Sequence, residues 1–432
     1  MNSVFEYCFS LAPTMSPKQV ALPKHLQKLI DKIIAERGIE NKIIDIKPFV
    51  NPGDNWLGNI LKIKIVGNNI QNNHVSVSFI VKLAPTVQIQ RQCFPISALY
   101  EREIYMYNFV IPELIKLQKE NNVKNIFAPF AKCYGTISKE GEETVLLENM
   151  QPLGYDTVNH RHPVSYHHAS LAMKYYGKLH AMSFALQAQK PELYEEIRTN
   201  IIISTGVGQT IHKLTERMGL KVLNYIEKEV EIYKAFMLFL KNPSFVFKEL
   251  VTKKLERPYG VVLQMDSQLR NILFKHEASD ASVPKDLCFI DWQASVLSNP
   301  CIDIGSFLWI STDKQLRDNY YFDLIDTYYT SFSSFLNEFG EDSEKMYPRA
   351  VFEKHLQKYS SFGLLASIWS LAINLLKPED VPNVADAVNS EVLLELISDR
   401  TGDEYFTRIR NNIVDFINYG YILNENDFYT IN

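Results

Sequence analysis

The chain has 432 residues, 46% of them apolar and 22% charged, which allows sizeable buried cores and excludes wholesale disorder. A net charge of −5 gives no basic footprint for nucleic acid, and polynucleotides are set aside as partners. Cys8, Cys93, Cys133, Cys288 and Cys301 show no CxxC or Cys/His pairing, which excludes a disulfide frame or zinc site and reads as reduced thiols of a cytoplasmic protein.

In chain order, Met1 to Pro13 lacks a basic run before its short apolar stretch, and Glu6 interrupts it, which speaks against a secretory signal. Residues 16–40 read as a helix, with Leu26, Leu29, Ile30, Ile33 and Ile34 at helical spacing and Gly38 as its stop. The period then shortens to two. Residues 61–65 alternate apolar residues with lysines, Gly67-Asn68-Asn69 supplies turn chemistry, and Val75, Val77, Phe79 and Val81 alternate up to Lys82. That predicts a β-hairpin with one buried face. Ser97 to Glu120 returns to a helical period, with Tyr100, Ile104, Tyr107 and Ile111 on one stripe. Thr144 to Leu147 is a short apolar strand, and Gln151-Pro152-Leu153-Gly154 a linker.

Beyond it the chain is mostly helical, with strand-like pieces at 261–263, 271–274 and 287–290, the last two flanking a polar turn and predicting a second hairpin. Residues 359–376 carry no charge, yet four serines, a glycine and Asn374 dilute them; they read as a buried helix and not a membrane span. The order predicts an α+β, two-lobed molecule: a small antiparallel-sheet lobe with a helix over 1–149, and a larger, mainly α lobe over 150–432.

The segment that carries chemistry runs from Val261 to Phe274, followed by Leu287 to Asp291. Asp266, Asn271 and Asp291 each sit at the end of an apolar strand, where a rigid element presents them to a cleft. Together they form a hard-oxygen set of the kind Mg²⁺ takes beside substrate phosphates. Phosphoryl transfer needs a group to take or position the acceptor's proton, and ligands for the metal on the nucleotide. Asp266 fits the first role, Asn271 and Asp291 the second. Taken singly, each is an ordinary turn residue after a strand; the three at this spacing point to a site.

This segment resembles the catalytic loop and metal-binding turn of the aminoglycoside/choline kinase superfamily, and within it the ecdysteroid kinase-like (CHK kinase-like) family of insects. The likeness extends to Phe79–Pro85, Tyr100–Tyr107 with Val110-Ile111-Pro112, Leu146–Met150 with Gly154-Tyr155, Asn159 and Arg161, and Leu179–Ser183. It implies a protein kinase-like fold that binds ATP and Mg²⁺ and phosphorylates a hydroxyl of a small molecule, either a steroid of the ecdysteroid type or a hydroxylated or phenolic xenobiotic. Lys82 would orient nucleotide phosphates, paired with Glu103. Gly53 and Asn55 would belong to the loop covering the phosphates, and Glu148 and Asn149 to the hinge along the adenine edge. Asp303 would brace the catalytic loop, and His180 reads as a packing residue. Phe307, Trp309, Tyr328, Phe332, Phe362 and Trp369 either line an apolar acceptor pocket or are core.

One departure matters. Family members commonly carry His-Gly-Asp where this chain has Gln264-Met265-Asp266. A Gln amide can donate and accept as the histidine does. If the backbone at 265 needs φ > 0, a side chain there costs about 1 kcal/mol or more. The alternative to an active kinase is therefore a pseudokinase that binds a nucleotide or small molecule.

Overall fold

Leu26, Ile30, Ile33 and Ile34 are spaced to share one face of a helix, and in the computed structural model they lie buried along α1 (Lys24–Glu36), with Gly38 at φ +58° just beyond its end. The structure describes residues 22–49, 58–86, 88, 91, 94–201, 206–241, 258–381 and 390–421. Residues 1–21, Cys93, Gly53 and Asn55 lie outside them.

The face of α1 packs on a five-stranded antiparallel sheet of β1 (Glu40–Pro48), β2 (Asn59–Asn68), β3 (His74–Leu83), β4 (Cys133–Ile137) and β5 (Thr144–Glu148), in the order β1-β2-β3-β5-β4. Ile63, Ile65, Phe79, Val81 and Leu146 fill the core beneath the helix. Because side chains alternate across a strand, Lys82 points away from the face that Phe79 and Val81 cover. The β2–β3 hairpin is the predicted one, but its turn lies further on, at 69–73, where the Asn69 side chain accepts from the Gln71 and Asn73 amides. Gly67 instead continues the strand, because a Cβ there would lie 2.5 Å from the Glu40 carbonyl of β1. Neither β1 nor β4 was legible in the sequence. β1 is an edge strand with Ile43 71% exposed, so it lacks the alternation that marks a half-buried strand.

The helix expected over 97–120 is present as α2 (Ile96–Tyr105) and α3 (Ile111–Glu120), joined through a π-turn at Met106–Val110, with Tyr100, Tyr107 and Ile111 buried. The chain leaves the sheet at Glu148 and passes the turn Gln151–Leu153 into the large lobe. There follow β6 (Tyr155–Thr157), α4 (Tyr166–Gln189), α5 (Pro191–Asn200), α6 (Gly206–Tyr225) and α7 (Val230–Leu240). The strands β7 (Val261–Leu263), β8 (Ile272–His276), β9 (Pro284–Phe289) and β10 (Val296–Ser298) come next. The rest is helical: α8 (Cys301–Ser311), α9 (Lys314–Asn337), α10 (Arg349–Asn374), α11 (Ser390–Asp399) and α12 (Asp403–Asn418). β8 and β9 form the predicted second hairpin, joined by β6, while β7 pairs with β10. This is the expected α+β, two-lobed, protein kinase-like architecture.

The uncharged stretch 359–376 lies mostly within α10, packed against α8 in the large-lobe core, and no helix among the described residues is long and apolar enough to cross a membrane. The α8/α10 crossing is close because two glycines meet: a Cβ on Gly363 would fall 2.3 Å from the Gly305 carbonyl carbon and 2.7 Å from the Ser306 nitrogen. Those are backbone atoms and cannot swing aside. Gly363→Ala should therefore destabilise the protein by about 2–3 kcal/mol in urea unfolding. Gly402→Ala, where an added Cβ meets nothing within 4 Å and only the N-cap preference of α12 is lost, should stay within about 1 kcal/mol. Equal effects of the two would show that the helices can part.

Candidate active site

The loop after β7 is built around one buried carboxylate, and a buried glutamine ties that loop to the turn after β9. Asp303, in the first turn of α8, is 0% exposed and accepts from the Gln264 N–H at 2.8 Å, the Met265 N–H at 2.8 Å and the Ser267 hydroxyl at 2.7 Å. His180 Nε2 lies 3.5 Å away, and its Nδ1 is 2.9 Å from the Tyr328 hydroxyl. His180 is thus held within the core, as its packing reading requires. Gln264, also fully buried, uses both ends of its amide. Its Oε1 accepts from the Tyr176 hydroxyl at 2.8 Å, and its Nε2 donates to the Asn271 carbonyl at 3.1 Å and the Ile290 carbonyl at 2.9 Å. One side chain so fastens the loop of Asp266 to the residues that carry Asn271 and precede Asp291.

Two residues of this frame take the left-handed backbone conformation, Met265 at φ +69° and Asp291 at φ +63°. Aspartate enters that region readily, whereas a residue such as methionine does so at a cost of roughly 1–2 kcal/mol. The side chain that replaces the family's glycine therefore sits where glycine is favoured, and it packs half-buried against the large-lobe core.

Asp266 is held on both oxygens by amides. Asn271 Nδ2 donates to Oδ2 at 2.8 Å and to the Asp266 carbonyl at 3.0 Å, and Gln268 Nε2 donates to Oδ1 at 2.7 Å. Burial and the neighbouring Asp291 carboxylate raise its pKa from 3.8 to about 6, against the opposing pull of the two amides. With its nitrogen on Asp266, Asn271 has Oδ1 as its atom for a cation.

Lys82 enters from β3, 6% exposed, and donates to Glu103 on α2 at 2.5 Å and to Asp291 at 2.8 Å. Burial works against its charge, yet the Asp291 and Glu103 carboxylates together hold its pKa above the ordinary lysine value. Arg102, next to Glu103, donates to the Gln293 carbonyl at 2.9 Å, so α2 grips the turn after Asp291 with two consecutive residues. Lys82, Glu103 and Asp291 are thus in direct contact, and Asp266 and Asn271 are bonded to each other beside them.

The donor set suits Mg²⁺. Asp291 is 24% exposed at its side chain, and its repulsion with Asp266 is the kind a cation between them relieves. No group of three His, Cys, Asp or Glu residues among the described residues forms a metal cluster. Mg²⁺ asks for less, one or two carboxylates alongside substrate phosphates.

The hinge is more closed than its residue types suggested. The Glu148 N–H donates to the Lys132 carbonyl at 2.8 Å and its carboxylate accepts from the Tyr134 hydroxyl at 3.2 Å. The Asn149 N–H donates to the Ser78 carbonyl at 3.1 Å, its Nδ2 to the Ser78 hydroxyl at 2.9 Å, and its Oδ1 accepts from the Gln151 N–H at 3.1 Å. Of the aromatics, Phe307, Trp309, Tyr328, Phe332 and Phe362 are core residues, while Trp369 is partly exposed. Gln268, Asn374, Arg102 and Ser267 belong to the site without having been singled out in the sequence. Only Asn374 left a trace, as one polar residue in an apolar helical stretch.

The sequence model of the ecdysteroid kinase-like family matches residues 52–341, more than half of the chain. No curated protein matches it.

The left-handed turn at 265 is open to test. Met265→Ile, with a β-branched side chain in that conformation, should destabilise the protein by about 1–2 kcal/mol. Met265→Gly should stay within about 1 kcal/mol, relief of strain offsetting the lost packing and the freer unfolded chain. Matched urea melts of the two variants decide it, and an isoleucine variant as stable as the parent would remove the strain.

Proposed function

We propose that this chain, which belongs to the ecdysteroid kinase-like family, is an ATP-dependent kinase that transfers the γ-phosphate to a hydroxyl of a small molecule. The observation that carries this reading is the buried contact of Lys82 with both Glu103 and Asp291, beside an Asp266 already bonded to Asn271. A lone strand-end lysine has no reason to be buried between two carboxylates that come from a helix and from the other lobe. Phosphate handling gives it one.

In the proposed division, residues 1–149 hold the nucleotide and residues 150–432 carry the base and the acceptor. Lys82, steadied by Glu103, orients the phosphates of ATP. Asn271 Oδ1 and the Asp291 carboxylate hold Mg²⁺, which when bound neutralises phosphate charge. Asp266 accepts the proton of the acceptor hydroxyl as its oxygen bonds to the γ-phosphorus and the bond to the β-phosphate oxygen breaks, leaving ADP and a phosphate ester. With the Glu148 and Asn149 amides engaged inside the protein, hinge contacts to adenine fall to carbonyls and to the Met150 amide. Gly53 and Asn55 complete the phosphate side. The acceptor in this reading is a hydroxyl of a steroid of the ecdysteroid type, which the family's description supports, or of a hydroxylated or phenolic xenobiotic. Cys133, Cys288 and Cys301 are free thiols, in keeping with a cytoplasmic location.

A second reading, a pseudokinase that binds without transfer, rests on one observation: Met265 occupies a left-handed backbone position beside the base.

The deciding experiment is a γ-phosphate transfer assay against hydroxysteroids and phenols, run beside Asp266→Asn. Transfer should occur, and should fall by about 10²–10⁴ in the variant while Mg-ATP still raises the melting temperature. No transfer with no thermal shift overturns the kinase reading, whereas a shift without transfer favours the second.

The pH profile is a separate check. Asp266 is a working base only when ionised, and its pKa is raised to about 6. With Mg²⁺ relieving the Asp291 repulsion, activity should be level above that pH and fall about tenfold per unit below a limb at or under 6, while in the metal-free protein the Asp266 carboxyl itself should titrate near 6 by NMR. A metal-free titration near 4 would mean that burial and Asp291 do not act on this carboxylate.

A further inference from the structure

Asn271 and Gln268 hold the two carboxylate oxygens of the proposed base, and Gln268 is itself held by a residue from a helix far along the chain. Gln268 Nε2 donates to Asp266 Oδ1 at 2.7 Å, and Gln268 Oε1 in turn accepts from Asn374 Nδ2 at 3.0 Å. Asn374 is 3% exposed, on the last turn of α10. A glutamine amide has a donating and an accepting end, and turning it over would set an oxygen against a carboxylate. With Asn374 Nδ2 facing it, turning Gln268 alone would also set two N–H groups against each other. Asn374 is itself anchored from two sides. The close Gly305/Gly363 approach fixes α10 on α8, and just past the helix Arg161 Nε donates to the Leu376 carbonyl at 3.0 Å.

The two oxygens of Asp266 are therefore held separately, Oδ2 by Asn271 and Oδ1 by Gln268. Rotation of the carboxylate about its Cβ–Cγ bond is locked, which fixes the directions in which its remaining lone pairs can meet an acceptor hydroxyl. Asn271 also belongs to the cation site, so altering it changes two things at once. Gln268 does not. Asn374 lies beyond residue 341, where the family match ends, so the partner that aims Gln268 is not part of that match.

We propose that Gln268, aimed by Asn374, is a positioning residue that sets the orientation of Asp266 toward the acceptor hydroxyl. The proposal rests on the kinase reading for its meaning, but not for its test. In steady-state kinetics Gln268→Leu should lower kcat roughly tenfold with KM for ATP unchanged, since the nucleotide side is untouched. Gln268→Glu, of the same size and still able to accept from Asn374, should lose as much, because it offers an oxygen to Asp266. Gln268→His, which keeps an N–H donor, should recover most of the rate. Asn374→Leu should lose part of it, and adding it to Gln268→Leu should cost nothing further. If Asn374→Leu does not fold, Asn374→Ser takes its place.

An unchanged kcat in Gln268→Leu, or an equal rate in Gln268→Glu and Gln268→His, overturns the proposal. If the parent protein transfers phosphate to no acceptor, the kinase reading fails, and the relay is then decided by melting temperatures alone. The Gln268→Leu/Asn374→Leu double variant should melt no lower than the worse single variant. Losses that add would show that the two amides act independently and would overturn the relay.

Discussion

A carboxylate removed from water is stable only if donors replace the water it lost, and Asp303 gathers those donors from the segment that has to be held still. Its partners are two successive backbone amides and a hydroxyl of residues 264–267, with an imidazole from α4 alongside. The loop carrying Asp266 is thereby pinned to the first turn of α8, where acidic groups are also favoured by the helix dipole. Everything nearer the chemistry hangs from this arrangement. Gln264, whose N–H is one of those amides, passes the constraint through its side chain to the backbone at Asn271 and Ile290. α8 is in turn seated against α10 through the glycine contact at 305 and 363. A buried helix crossing and the aim of a surface-facing carboxylate are thus parts of one chain of contacts.

Away from the contacts of residues 118–130 with α4 and β9, the small lobe meets this frame at a polar junction centred on Lys82. Lys82 reaches it because the pleat of β3 turns Phe79 and Val81 toward α1 and leaves the lysine on the opposite side. Arg102 and Glu103, adjacent on α2, then fasten to the Gln293 carbonyl and to Lys82. Moving α2 would break both contacts together, so the geometry of Asp291 and the placement of the helix are not independent. Asp291 itself takes a left-handed conformation that aspartate tolerates, and it is the one charged residue of the junction with appreciable exposure.

The two-period pattern of β2 and β3, the helical stripe of α2 and α3 and the spacing of Asp266, Asn271 and Asp291 were legible because each is local: a side-chain repeat or a strand end can be read within a dozen residues. β1 and β4 were not, since an edge strand that is mostly exposed, as β1 is, or evenly half-buried, as β4 is, carries no two-residue repeat. The pairing of Gln268 with Asn374 spans 106 positions, and no pattern near either residue announces it. The hinge shows the opposite failure. Glu148 and Asn149 lie where the sheet ends and the chain crosses to the large lobe, but their amides are engaged by Lys132 and Ser78, a matter of register that residue types do not reveal. Large-lobe aromatics were open to two readings because helical spacing is the same for a pocket wall and for a core. Burial separates them and leaves only Trp369 partly exposed.

Met265 brings these levels together. Its backbone direction is not a free choice, because its N–H must reach Asp303 while the next residue must set its carboxylate between Asn271 and Gln268. A glycine would adopt φ +69° without strain. Methionine adopts it because the contacts of Asp303 and the packing of the side chain against the large-lobe core outweigh a strain of roughly 1–2 kcal/mol. That same packing means the side chain is not simply projecting into the space in front of Asp266. The substitution therefore bears on the loop chiefly through backbone strain, which the brace absorbs, while both oxygens of Asp266 keep their amide partners. A loop that tolerates the least glycine-like feature of its turn and still holds its carboxylate from two sides keeps the arrangement on which the proposed proton transfer depends.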